Sequence, residues 1–238
     1  MSSTLGTSTT GISTALQLSD VRFSYRPDRE ILNIQSLKVE QGERLFVFGP
    51  SGSGKTTLLG LLAGVLKAKS GEVNVLGRNL TAMSNADRDR FRGSHIGYIF
   101  QLFNLIPYLS VLENITLPCR LTAERRKRLN GVPMDEAAQH VADHLGIGKL
   151  LNDNVVNLSV GQQQRVAAAR SLIGTPELVI ADEPTSSLDF DHREKFLELL
   201  FENCRTANST IIFVSHDRTL MHLFDRCVSL PDINQAVR

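Results

Sequence analysis

A chain of 238 residues, 42% apolar and 21% charged, is long enough to bury a substantial core and has an ordinary composition for one folded domain. A formal net charge of +1, from 26 basic and 25 acidic residues, excludes a whole-molecule pull toward nucleic acid or an anionic membrane. Nowhere do about 20 apolar residues run uninterrupted, so no membrane-spanning helix is expected.

The opening MSSTLGTSTTGIST lacks the basic and apolar regions of a secretory leader, and residues 1–15 read as a flexible polar tail. Leu16–Tyr25 alternates loosely and predicts a strand near one edge of the domain, followed by a turn at Arg26–Glu30 and a second strand at Ile31–Val39. Gln41-Gly42-Glu43 turns the chain into the apolar strand Arg44–Phe48. Thr56–Leu66 carries an apolar stripe of helical spacing (Leu58, Leu59, Leu61, Leu62, Val65), and Gly71–Leu76 predicts another strand. From Asn85 to about Leu151 the pattern is mainly helical, interrupted at Gly93–Gln101, Pro107, Pro118 and Gly131-Val132-Pro133. Helical patterning returns over Val160–Leu172. The strand Leu178–Ala181, the helix Asp191–Asn203 and the strand Thr210–Val214 follow.

Buried apolar strands separated by helices predict an α/β fold with a largely parallel sheet covered on both faces. The expected organisation is one domain over 16–230, with a helical subdomain inserted at 86–172 and a C-terminal tail at 231–238. Arg125–Arg128 reads as a solvated basic helix face. Cys119, Cys204 and Cys227 lie far apart and match no metal or redox spacing, which predicts reduced, mostly buried thiols. His140 and His144 share a helix face without a further ligand beside them and read as surface residues.

Gly49-Pro50-Ser51-Gly52-Ser53-Gly54-Lys55-Thr56 satisfies G-x-x-x-x-G-K-[ST] between an apolar strand and a helix, the context this phosphate-binding motif requires. Its glycines let consecutive N–H groups point into one cavity, joined by the positive end of the next helix. Lys55 is placed to reach the β- and γ-phosphates of ATP, and Thr56 to ligate magnesium. Asp182 and Glu183 end an apolar strand, where ligands gather in parallel sheets. Asp182 is the expected magnesium-associated acid and Glu183 extends toward attacking water. His216, ending the next strand, is placed to hydrogen-bond the γ-phosphate or that water. Ser215-His216-Asp217 is no hydrolase triad, because triads are assembled in space rather than in one tripeptide.

With these motifs in place, the sequence resembles the ATP-binding cassette (ABC) family over roughly Leu16 to Leu230. Leu158-Ser159-Val160-Gly161-Gln162 resembles the family signature LSGGQ, with Val160 replacing the first glycine. Gln101, Ser186-Ser187-Leu188-Asp189, Tyr25 and His216 match the family's strand-end glutamine, aspartate loop, adenine-stacking aromatic and switch histidine. The resemblance implies a P-loop NTPase core of ABC type with an inserted helical subdomain and an N-terminal antiparallel β subdomain. It implies a magnesium-dependent ATPase in which two copies sandwich two ATP molecules. Tyr25, the loop from Gly49 to Thr56 with Thr57, and Asp189 would then meet nucleotide with Ser159, Gly161 and Gln162 of the opposing copy. Glu183, His216, Lys55 and Gln101 would carry the chemistry, with Thr56, Gln101 and Asp182 around the metal.

Gln101–Ile115 resembles the subgroup of macrolide exporters and lipoprotein-release ATPases, whose partners are membrane proteins with few spans and large periplasmic regions. That implies a peripheral subunit on the cytoplasmic face of the inner membrane. Phe103, Leu105, Ile106, Tyr108 and Leu109 would line a groove for a short helix of such a permease, or serve as subdomain core. A regulatory or cell-division cassette bound to a membrane protein fits the same motifs. A nucleic-acid-associated cassette fits less well, because those relatives generally carry coiled-coil insertions, zinc modules or two cassettes in one chain.

Overall fold

The computed structural model describes residues 13–186 and 190–236. The chain begins with β1 (Thr14–Phe23) and β2 (Leu32–Glu40), then β3 (Arg44–Phe48), α1 (Lys55–Leu62), β4 (Ser70–Val75) and β5 (Arg78–Asn79). Next come α2 (Asn85–His95), β6 (Ile96–Ile99), α3 (Val111–Leu121), α4 (Ala123–Lys127), α5 (Met134–His144) and α6 (Val160–Leu172). The chain closes with β7 (Leu178–Asp182), α7 (Phe190–Thr206), β8 (Thr210–Val214), β9 (Arg226–Ser229) and α8 (Leu230–Ile233).

Two sheets result. One is antiparallel and 4-stranded, in the order β2-β1-β4-β5. The other has 5 strands in the order β6-β7-β8-β3-β9, all parallel neighbours. This matches the architecture the resemblance implies, a parallel core sheet with a helical subdomain and an N-terminal antiparallel β subdomain.

The central parallel strands β7, β8 and β3 are buried on both faces, and their period of two splits them between two cores. Val179, Ala181, Ile211, Phe213 and Phe46 face the core shared with α3, α5, α6 and α7. Leu178, Ile180, Ile212, Val214, Leu45 and Val47 face the core shared with α1 and the antiparallel sheet. Each of these side chains larger than alanine contributes about 1.5–3 kcal/mol by leaving water. Together they fix the strands whose ends carry the site.

Five expectations change. Only Arg126 and Lys127 of the Arg125–Arg128 segment form a solvated face. Arg125 is 2% exposed and its guanidinium donates to the carbonyls of Gly93 (3.1 Å), Ser171 (3.0 Å), Ile173 (2.9 Å) and Ile96 (2.5 Å). Burial pushes its pKa down to about 10. Arg128 turns the same way, toward Ser94 O and Glu177, while Arg126 stays exposed.

Pro118 does not interrupt its helix but lies inside α3. Its missing N–H forfeits one helical bond, while Val111, Ile115 and Cys119 bury the helix face and the Ser110–Glu113 capping box closes its first turn.

The expected helix to Leu66 stops at Leu62, because Gly64 takes φ +68 and turns the chain. The expected tail after Leu230 is bound to the domain. Pro231 belongs to α8, and Asn234 accepts from Asn33 N (2.8 Å) and donates to Ile31 O (2.9 Å). At the other end β1 begins at Thr14, inside the expected tail.

Cys119 and Cys204 are buried and Cys227 is partly buried. Burial raises all three thiols, Cys204 to about 12, so they are poor nucleophiles. The His140 and His144 rings lie 4.3 Å apart, tilted to each other, on the exposed side of α5, and no cluster of three or more His, Cys, Asp or Glu able to hold a metal forms among the described residues.

Candidate nucleotide site

The loop after β3, Gln101 after β6, Asp182 and Glu183 at the end of β7, and His216 after β8 all leave the carboxyl ends of adjacent parallel strands. They meet in a cleft of about 620 Å³ lined by Tyr25, Ile31, Ser51, Gly52, Gly54, Lys55, Thr56, Thr57, Gln101, Asp182, Glu183 and His216.

The loop's shape follows from its sequence. Gly54 sits at φ +102 just before α1, and a β-carbon there would lie 2.9 Å from Leu32 Cδ2, so only glycine fits. A β-carbon on Gly49 would lie 2.8 Å from Ser53 Oγ and 3.0 Å from Pro231 Cδ. Lys55 is 8% exposed, and its ammonium donates to Gly49 O (2.9 Å) and Pro50 O (3.1 Å). Its Nζ also lies 3.9 Å from Glu183 Oε1. A buried cation, the start of α1 and a curled glycine loop form a cradle suited to phosphate.

The acids differ in environment. Asp182 is 8% exposed and lies beside the Thr56 hydroxyl. Burial raises its pKa, Thr56 opposes that, neighbouring Glu183 raises it further and Lys55 lowers it. An oxygen pair of this kind suits magnesium, which takes one or two protein oxygens and completes its octahedron with water and substrate phosphates.

Glu183 sits at φ +45, a costly conformation for a non-glycine residue. Its N–H bonds Val214 O (2.9 Å), tying the strained residue to β8. Glu183 Oε2 lies 2.8 Å from His216 Nδ1. A carboxylate only accepts, so Nδ1 donates to it, and in the neutral ring Nε2 is then the acceptor. Asp217 braces the turn beyond His216: it accepts from Thr219 and from Arg193 (2.5 Å). This arrangement holds a carboxylate and an imidazole together beside a phosphate cradle, suited to removing a proton from water.

Tyr25 is 64% exposed at the mouth of the cleft, edge-on to Phe23 and sharing a 3.3 Å hydrogen bond with Thr57. Ile31, beside it, was not legible as a site residue from its strand context.

The signature segment stands apart: the described lining of this cleft includes none of Ser159, Gly161 and Gln162. Ser159 instead caps α6 in a reciprocal box, accepting from Gln162 N (3.3 Å) while Gln162 Oε1 accepts from Ser159 N (2.8 Å). Val160 is the first helical residue, outside the left-handed region and 50% exposed. The valine therefore causes no backbone strain. Asp189 lies outside the described residues.

A second groove, of about 490 Å³, runs between α2, β6 and α3 and is lined by Phe100, Leu117, Pro118, Leu121 and Arg170 among others. None of the five apolar residues expected to line a partner groove is among its described lining. Phe103 turns into the core at 8% exposure and Leu105 packs against it, whereas Tyr108 is exposed.

Fold and site together define a P-loop nucleotide-binding cassette. The family model described as ABC transporter matches residues 32–186, and the chain belongs to the ATP-binding cassette family of ABC transporters. It is similar to the uncharacterized ABC transporter ATP-binding protein YbbA of Escherichia coli (strain K12), 42% identical over 200 residues, 84% of this chain and 86% of that protein. The lipoprotein-releasing system ATP-binding protein LolD of Bacteroides fragilis (strain YCH46) is 35% identical, over 86% of this chain and 93% of its own length. Among solved structures, a dimeric post-hydrolysis state of the ATP-binding cassette MJ0796 bound to ADP and Pi superposes with a TM-score of 0.80 at 31% identity, covering 90% of this chain and 93% of that one.

Proposed function

We propose that this chain is the magnesium-dependent ATPase motor of a membrane transporter and works as a pair of copies. The carrying observation is the contact of Glu183 with both Lys55 and His216 beside the phosphate loop. Lys55 and the loop's N–H groups hold the β- and γ-phosphates. Glu183 accepts the proton of attacking water, and His216 Nε2 keeps that water in line. Thr56 and Gln101 would supply the metal's protein oxygens, with Asp182 reaching it through water, and magnesium would neutralise charge on the phosphate oxygens.

Ser159, Gly161 and Gln162 serve the cleft of a second copy. Support comes from their position outside their own cleft and from the dimeric state of the similar MJ0796 cassette. Closure of two copies adds the α6 N-terminus to the phosphates and excludes water. The groove with Phe100, Leu117 and Leu121 receives a cytoplasmic helix of a permease with a large periplasmic region. Attachment at the cytoplasmic face of the inner membrane runs through that partner; no described helix is long and apolar enough to cross a membrane. Purification from native membranes in mild detergent tests this reading. A co-eluting membrane protein that stimulates hydrolysis supports it, and recovery with DNA or ribosomes alone overturns it.

Two site changes have modest expected effects. Tyr25→Ala should raise the KM for ATP about fivefold, from loss of roughly 1 kcal/mol of ring stacking, with kcat held. Steady-state kinetics at varied ATP measure it. Val160→Gly should change the hydrolysis rate by less than about threefold, since glycine costs at most ~1 kcal/mol in a helix and the backbone here is already ordinary. The same assay checks it, and loss of activity would contradict the reading of Val160.

A further inference from the structure

Arg170 lies in the last turn of α6, the helix that Ser159 caps, and is 9% exposed. Its Nη1 donates to Asn104 O at 2.7 Å and its Nη2 to Phe103 O at 2.5 Å. Those acceptors are consecutive residues in the left-handed region, Phe103 at φ +59 and Asn104 at φ +49. The conformation costs roughly 1–2 kcal/mol per residue, and only the asparagine tolerates it well. The turn they make is tight: Phe103 N donates to Phe100 O (3.0 Å) and Asn104 N to Leu102 O (2.6 Å). Gln101 lies inside that turn and lines the nucleotide cleft.

The planar guanidinium therefore clamps two adjacent carbonyls with two parallel N–H groups, a match lysine does not reproduce. Arg170 also lines the groove that holds Phe100 and Leu121. One side chain thus touches the groove, the α6 helix and the turn that carries Gln101.

We propose that Arg170 is a positioning residue for hydrolysis: it locks the strained Phe103–Asn104 turn and so fixes Gln101 at the cleft. Displacement of this turn from the groove side would shift Gln101 directly. The inference rests on the reading of Gln101 as part of the metal and water site.

The test uses the full chain and four readouts: kcat, the magnesium concentration for half-maximal rate, affinity for a fluorescent ATP analogue, and thermal melting. Arg170→Lys should lower kcat on the order of tenfold and raise the magnesium requirement, because small misplacements of positioned groups are costly. Analogue affinity and melting should stay as in the parent chain. Asn104→Val, at an exposed position with Arg170 intact, should reproduce the loss by attacking the same turn. Parent values of kcat and magnesium dependence in either variant overturn the proposal, as does a rate loss that only follows the folded fraction. An inactive parent chain would sink the ATPase reading as well, whereas an active parent with indifferent variants sinks this inference alone.

Discussion

Glu183→Gln should lose ATP hydrolysis by on the order of 10³-fold while ATP binding persists. The amide keeps the side chain's size and can still meet His216, but it cannot take a proton from water. The substitution also removes the negative charge 3.9 Å from the Lys55 ammonium, which favours bound phosphate over the empty loop. Binding without turnover should accumulate the closed pair of copies. Single-turnover hydrolysis and light scattering with and without magnesium-ATP measure both effects. A variant that hydrolyses at the parent rate removes Glu183 from the chemistry, and one that stays monomeric with ATP counts against the two-copy site. Lys55 and Asp182 stay in place in this variant, so loss of activity with retained affinity isolates the proton acceptor.

The second large effect concerns stability. Arg125→Met should destabilise the chain by several kcal/mol, because it strips a shared donor from the carbonyls of Gly93, Ile96, Ser171 and Ile173. A buried polar group left unsatisfied costs about 1–3 kcal/mol, and relaxation or water entry recovers part of the total. Domains of this kind have only about 5–15 kcal/mol in hand. Arg126→Met, one residue along on the exposed side, should shift stability by no more than about 0.5 kcal/mol. Chemical denaturation of the two variants side by side decides the matter. Equal stabilities would mean that the four carbonyls find other donors.

The nucleotide cleft was largely legible because its parts obey local rules. The Gly49–Thr56 loop declares itself by glycine spacing between a strand and a helix, and Asp182, Glu183 and His216 each end an apolar strand. Parallel pairing then brings those strand ends together without further instruction. What resisted reading depends on contacts distant in sequence. Arg125 sits in a run of charges that reads as solvated, and nothing nearby announces that four carbonyls from three other segments converge on it. The left-handed backbone at Phe103 and Glu183 is equally silent, since neither residue type favours it. The segment after Leu230 looks like a tail because its anchor, Asn234, bonds residues about 200 positions earlier.

The split of the parallel strands between two cores has a consequence for how the molecule tolerates change. Phe213 and Val214 are neighbours in the chain, yet one is walled in by the helical side and the other by α1 and the antiparallel sheet. Each central strand is a party wall. Alterations accepted on one side are screened from the rooms on the other, so the helical half is free to change while the phosphate loop's footing stays as it was.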